Sequence, residues 1–444
     1  MKSSGRWFRD ASVLGLVLLG SGGPITAAHG DHENRYTFTP IAFLGDSAPG
    51  GATFSDDFEP VLSNRGDVAF DASLSDGDAA EGIFLSRRGH LSEVVRHGQA
   101  APGGGVFSTV ELGNIGINSR GDVAFAFSLE PFTFDDAPPL YHGGVYRLPA
   151  GRSELEAVMT PDVTTAPDGS VFVGTDFNVS LNESGELAFV GSVNTASGIA
   201  RGVYVASAHG EIRRVAGQGD RTPSGATLAE AVAPMNNDDG DVAFGGSLSS
   251  DPSGAFQVFV KRAHRRELEQ VTTAGATAPG GGLFTQSLGH HINDRGDIVL
   301  LGFVDTGADE PIAELFSYSS GTLTRVVGPG DPMPGGGHVA LLGASVLVGP
   351  SEFALNNRGD VAFNATLDNG GEGLFVISHG APSLVVQTGT VIPGLGTVLN
   401  LETFPEFQPI GFPTGSATVN DDGQVAFACT LTDGRTVLLL ATRR

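Results

Sequence analysis

One short phrase recurs seven times along this chain, and a long fixed period restricts the possible folds more than any other feature of a sequence. A bulky residue, apolar in six copies, is followed by Asn, two variable residues, Gly, a polar residue and usually Val-Ala-Phe. The copies occupy 62–70, 117–125, 181–189, 236–244, 292–300, 355–363 and 419–427. Their glycines are Gly66, Gly121, Gly185, Gly240, Gly296, Gly359 and Gly423, spaced 55, 64, 55, 56, 63 and 64 residues apart. Spacing of this length describes a stacked or ring-shaped array in which each repeat is one supersecondary unit.

Each phrase predicts a hairpin. Asn118, Asn182, Asn237, Asn293, Asn356 and Asn420 stand at the first turn position, where the side-chain oxygen can accept from backbone two residues on. Ser63 replaces Asn in the first copy and can do the same more weakly. Gly at the fourth position takes the left-handed conformation that other residues resist. In the strand that follows, Val and Phe point one way and Ala the other. The fifth copy reads Val299-Leu300 instead of Ala-Phe, so its small face gains volume and its large face loses it. That exchange implies burial on both faces, with the Phe face of one sheet against the Ala face of the next.

The repeat around residues 98–158 divides into strands at 106–117, 122–129, 144–148 and from 155, separated by Gly- and Pro-rich turns. Four antiparallel strands per repeat and seven repeats predict an all-β chain folded as a seven-bladed β-propeller. The segment 36–43 is a fourth strand without its own blade, and 436–441 is a third strand after which the chain stops. The N-terminal strand should therefore complete the last blade and leave no free edge. An open solenoid would need capping repeats, and neither end resembles one. Residues 36–444 are read as one domain, preceded by a short linker at 29–35.

At this level the chain resembles the secreted bacterial "choice-of-anchor tandem repeat" proteins named for NxxGxxAF, over Tyr36 to Ala441. The resemblance implies an exported or surface protein of unknown activity. Members often carry a C-terminal sorting anchor, and the short apolar run before Arg443 and Arg444 does not match one, which favours release or periplasmic residence.

The first residues support export. Lys2, Arg6 and Arg9 precede an apolar run at 11–19, and Thr26-Ala27-Ala28 offers small residues for cleavage after Ala28. This is the pattern of a signal peptide at 1–28, too short to span a membrane. With Cys429 the only cysteine, no internal disulfide can form. Asp and Glu number 50 against 25 Lys and Arg, for a formal charge of −25. Such a charge argues against nucleic acid or an anionic membrane as partner. A monomeric exported protein is expected.

No catalytic constellation is visible. His-Glu-x-x-His, Cys-x-x-Cys and Gly-x-Ser-x-Gly are absent, so no catalytic residue is assigned and no cofactor is expected. Arg-Gly-Asp occurs at 65–67, 120–122, 295–297 and 358–360, but the other copies show that the turn needs only its Gly. Calcium is the one metal with any support. Asp46, Asp220 and Asp331 recur just after Gly in the Gly-Pro-Gly loops, where they could ring a cation or simply cap turns. The acidic segment at 236–241 fails the EF-hand pattern, since Met235 and Gly246 fall on ligand positions. The Gly-rich loops lack the Gly-Lys-Ser/Thr ending of a phosphate loop.

The departures from the repeat point elsewhere. Copy two inserts 130–143 with Phe132, Phe134 and Tyr141, and copy seven inserts 401–416 with Phe404, Phe407 and Phe412. Insertions on a repeat scaffold map to loops, often on the binding face, and aromatic clusters suit sugar stacking or protein contact. The function expected is therefore non-catalytic binding of an extracellular protein or glycan. A structural envelope scaffold and a polysaccharide hydrolase or lyase are the alternatives.

Overall fold

Every one of the seven turns closes as its sequence demands. The turn glycines have φ between 72° and 90°. In the second copy the Gly121 N–H donates to the Asn118 carbonyl at 2.9 Å, and Asn118 Oδ1 accepts from the N–H groups of Arg120, Gly121 and Asp122. A Cβ on Gly423 would meet nothing within 4 Å, so a substitution there tests backbone strain alone. Gly423→Ala should cost about 1–2 kcal/mol through the left-handed penalty. A denaturant midpoint unchanged from wild type would remove strain as the reason for Gly.

These turns join strands into the computed structural model of a seven-bladed β-propeller. Its described residues are 35–444, apart from 57, 76–79, 109–114, 131–133, 137–138, 197, 343–352 and 402–417. Arg35–Arg444 form one compact unit; the expected leader at 1–28 lies outside the described residues. The first strand of each repeat is innermost. Blade 3 shows the pattern in full, with Val171–Leu181, Leu187–Thr195, Gly198–Ala206 and Ile212–Gly217 in order from the centre outward.

Seven apolar clusters fill the seven seams between blades. Val123 and Phe125 of blade 2 pack on Ala69 of blade 1, and Leu187 and Phe189 of blade 3 on Ala124 and Ala126. Val242 and Phe244 of blade 4 meet Ala188 and Val190, and Val425 and Phe427 of blade 7 meet Ala362. The exchange in copy five sits where the packing requires it. Leu300 faces Ala243 of blade 4, while Val299 and Leu301 face Phe363 of blade 6. Cys429 is one of the fully buried residues of the last blade, and burial pushes its thiol up to about 12.

The ring closes between the chain ends. Tyr36–Phe43 pairs antiparallel with Thr436–Arg443, from Tyr36 opposite Arg443 to Phe43 opposite Val437. Val68 and Phe70 of blade 1 then pack on Ala426 and Ala428 of blade 7. Both ends of the chain are thereby held in one sheet, and opening the ring means breaking a strand pair as well as an apolar seam.

One strand differs from its expected extent. Of the span 106–117, Val106 and Phe107 make isolated bridges and Gly116–Ile117 is a two-residue strand, while 109–114 lies outside the described residues.

Candidate binding surface

The seven turns surround one mouth of the central channel, and their side chains link blade to blade. Asn118 Nδ2 donates to the Asn182 carbonyl at 3.3 Å, Asn182 to Asn237 at 2.9 Å, and Asn237 to Asn293 at 2.8 Å. Asn293 donates to Asn356 at 3.3 Å, Asn356 to Asn420 at 2.9 Å, and Asn420 to the Ser63 carbonyl at 3.1 Å. A seventh bond, from position 63 to Asn118, would complete the circle. Ser63 keeps the cap, accepting from Asp67 N at 3.1 Å, but it has no amide to pass on.

A second set of links runs through the next residues of the turns, with Ser184, one position further, as the donor in blade 3. Ser119 N donates to Glu183 Oε2, Ser184 N to Asp238, Asp238 N to Asp294, Asp294 N to Asn357, Asn357 N to Asp421, and Asp421 N to Asn64. Burial raises the Asp294 carboxyl above the usual range, and Asp238, Asp421 and Asp239 add to the rise. This mouth is therefore acidic, with its carboxylates already engaged by backbone N–H groups.

Behind it the innermost strands enclose a cavity of about 210 Å³. Its wall is mostly apolar, from Val61, Ile117, Leu181, Met235, Leu355 and Val419, with Glu59 and His291 as its titratable side chains. The His291 ring meets Phe353 edge-on at 5.4 Å.

The strands that flank the departures from the repeat lie at equivalent points of this wall. In blade 6, Val339–Leu342 and Phe353–Leu355, on either side of 343–352, pair with the same neighbour. In blade 7, Gly396–Asn400 and Thr418–Val419 do the same around 402–417. In blade 2, 109–114 falls between the Phe107 bridge and Gly116–Ile117. Blades 4 and 5 carry register shifts at this level, and blade 3 a register shift at Thr175–Val179, where a hairpin from blade 2 also joins. Blades 6, 7, 1 and 2 are consecutive around the closed ring, so the long departures share one arc.

Phe404, Phe407, Phe412 and Phe132 lie outside the described residues. Phe134 and Tyr141 pair on the two strands of a small hairpin, Phe134–Asp136 and Pro139–Tyr141, which joins blade 3 through Tyr141 opposite Thr175. The copy-two insertion thus extends the sheet of the neighbouring blade. It joins the inner edge of that blade's innermost strand, Val171–Leu181.

The remaining sequence candidates have structural partners. Asp46 Oδ2 accepts from Phe43 N at 3.2 Å, Asp220 Oδ2 from Gly217 N at 3.0 Å, and Asp331 Oδ2 from Gly328 N at 2.9 Å. Asp220 is also paired with Arg214 at 2.8 Å and Asp331 with Arg325 at 2.7 Å. These are turn caps, each closing a loop over three residues. Among the described residues no cluster of His, Cys, Asp or Glu is arranged to hold a metal ion. Adding calcium or a chelator should leave the melting temperature within about 1 °C, because capping carboxylates have no metal to lose. A calcium-dependent rise of several degrees would reassign these aspartates as ligands.

In the Arg-Gly-Asp copies the arginines are exposed, and three of the four aspartates point inward. Asp122 and Asp360 are buried. Burial tends to raise the Asp122 carboxyl, but the Ala150 N–H, the Asn118 amide and Arg120 outweigh it and hold it below the usual range. Such a carboxylate is committed to its own turn.

Residues 18–440 match a family of unknown function, DUF7453. The chain belongs to that family. No curated protein matches it. Among solved structures, a Mycobacterium tuberculosis puromycin-hydrolyzing peptidase is similar with a TM-score of 0.51 and 14% identity, over 92% of this chain and 54% of the peptidase. This DUF7453 member therefore spans about half of that protein. The β-propeller domain of the Trilobed protease from Pyrococcus furiosus gives 0.44 and 10%, over 87% and 95% of the two chains. The polysaccharide lyase Uly1 gives 0.46 and 10%, over 90% and 92%. At these identities the likeness is one of fold.

Two buried polar groups of the DUF7453 member had no signal in its sequence. Asp176, at a register shift in blade 3, meets Arg201 Nη2 at 3.3 Å, and Arg201 Nη1 meets Glu230 of blade 4 at 2.6 Å. Burial pushes the Asp176 carboxyl up to about 6, against the pull of Arg201. His290 is buried in blade 5, and burial lowers its imidazole to about 4. Neither group has a counterpart in the repeat phrase. The Asn circle did have one: six of seven copies keep Asn where Asp or Ser could also cap, and only Asn can both accept and donate there.

Proposed function

We propose that this protein is an exported, non-catalytic binding propeller that recognises an extracellular macromolecule or glycan through the segments interrupting its innermost strands. The observation that carries this reading is the placement of those segments. The strands flanking 109–114, 343–352 and 402–417 lie at equivalent points of the channel wall in blades 2, 6 and 7, along one arc of the ring. A rigid scaffold presenting variable segments side by side suits recognition. Phe404, Phe407 and Phe412 supply rings that can stack on sugars or fill a partner's pockets. Export is supported by the leader-like residues 1–28 and by the resemblance to choice-of-anchor tandem repeat proteins. Leu342, Phe353, Leu401 and Val419, which flank these segments, belong to the seams, so a replacement that leaves the flanking residues in place should keep the fold.

The test replaces 402–417 with Ser-Gly and compares the variant with wild type on an oligosaccharide array and against components of the native culture medium. The variant should melt within about 3 °C of wild type and bind at least tenfold more weakly. Equal binding by the two proteins would overturn the assignment to this arc.

A further inference from the structure

The outer rim of blades 3 and 4 departs from the rest of this acidic chain. Lys261-Arg262-Ala263-His264-Arg265-Arg266 holds four cationic side chains in six residues with no acid among them. The cause lies in the repeat. The fourth strand of blade 4, Glu269–Gln270, is two residues long, whereas that of blade 3, Ile212–Gly217, has six. The residues that leave the ladder form a basic turn after the third strand, Gln257–Lys261.

That turn is held in shape. Lys261 Nζ donates to the Arg266 carbonyl and closes the loop. Arg262 is anchored inward by Asp241 at 2.8 Å and by the Gly296 carbonyl at 3.0 Å. Arg265 and Arg266 remain exposed.

Two grooves flank the turn. One, of about 570 Å³, is lined by Arg221, Lys261 and Arg266 on one side of the balance and by Asp220 and Glu267 on the other. Asp220 is neutralised by Arg214 and caps Gly217, which leaves the groove cationic. The other, of about 580 Å³, is lined by Arg213 and His209 with Glu186, Asp238 and Asp239. Arg213 lines the second groove and Val215 the first, so both open along the same outermost strand.

We infer that this rim is a second binding site, for a linear carboxylated polysaccharide. A cationic groove meets carboxylates, while neighbouring acids and backbone groups accept from sugar hydroxyls. A nucleic acid carries a phosphate at every step and would meet repulsion from Glu186, Asp238 and Asp239 and from the overall charge of −25. A uronic chain also carries a charge on every sugar, but its free hydroxyls can donate to those carboxylates, which a DNA backbone cannot do. The site lies on blades 3 and 4, outside the arc of blades 6, 7, 1 and 2, and stands independently of it.

The test is affinity electrophoresis of the purified protein through gels containing polygalacturonate, neutral dextran or oligodeoxythymidine at low salt. Wild type should be retarded by polygalacturonate and not by dextran, with retardation falling as salt rises. Arg221→Ser/Arg266→Ser should bind at least fivefold more weakly. Both side chains are exposed, so its melting temperature should hold. Arg152→Ser, at an exposed site on blade 2, should bind polygalacturonate as wild type does. No retardation of wild type, equal retardation of the double variant, or tighter binding of oligodeoxythymidine would each overturn the proposal.

Discussion

Asn237→Ala should destabilise the protein by about 2–4 kcal/mol, because one buried side chain serves two blades. Asn237 is 2% exposed. Its Oδ1 accepts from Asp241 N at 2.9 Å and its Nδ2 donates to the Asn293 carbonyl at 2.8 Å. Alanine leaves the Asp241 N–H without its cap, and an orphaned buried donor costs about 1–3 kcal/mol. The lost link to Asn293 adds about 1 kcal/mol, since that carbonyl still accepts from Gly296 N. Serine separates the two. Ser63 shows that a hydroxyl can cap this turn without linking blades, so Asn237→Ser should cost only about 1–2 kcal/mol. The converse change, Ser63→Asn, should supply the missing seventh link and add about 1 kcal/mol. Guanidinium midpoints of the three variants measure this series. Equal losses for Asn237→Ala and Asn237→Ser would show that the cap contributes nothing.

His290→Leu should remove about 2 kcal/mol of acid destabilisation between pH 7.5 and 5. Neither ring nitrogen has a hydrogen-bond partner in good geometry, and the backbone of Ala243 and Ala233 offsets little of the cost of burial. The imidazole is therefore neutral when folded down to about pH 4, against an ordinary value of 6.5. The unfolded chain takes up its proton first as pH falls. Stability is full above the unfolded value and is lost progressively as pH drops from 6.5 toward 4. Leucine has no proton to bind and removes that slope. Asp176 acts in the opposite direction. Its folded value of about 6 stands above the ordinary 3.8, so the folded state takes up the proton first and stability rises as pH falls from 6 toward 3.8. The two groups oppose each other over most of this window. Wild type should be less pH-dependent than Asp176→Asn, and the difference between wild type and His290→Leu should change with pH. Parallel pH curves for wild type and His290→Leu would show that His290 titrates normally.

Blade number, turn geometry, seam packing and ring closure were legible in the sequence because each depends on local chemistry repeated seven times. Gly at the left-handed position, the alternation of Val-Ala-Phe and the unpaired strand at 36–43 each carry their reason within a few residues. The Val299-Leu300 exchange was informative for the same reason, since a seam records volume on both of its faces.

The tertiary structure decided whatever depends on residues from different blades meeting. It made the first strand innermost, which puts Gly396–Asn400 and Thr418–Val419, the strands flanking the copy-seven insertion, in the channel wall. It placed the Asn amides within reach of the next carbonyl, 55 to 64 residues away for five of the six bonds and 357 for the one that closes the ring. Asp176, Arg201 and Glu230 came together across a seam, and the basic turn of blade 4 was laid beside Arg221 of blade 3. The repeat phrase sets the contacts that every blade shares. Contacts that a single seam makes once leave no period to read, and the pairing of neighbouring blades is what creates them.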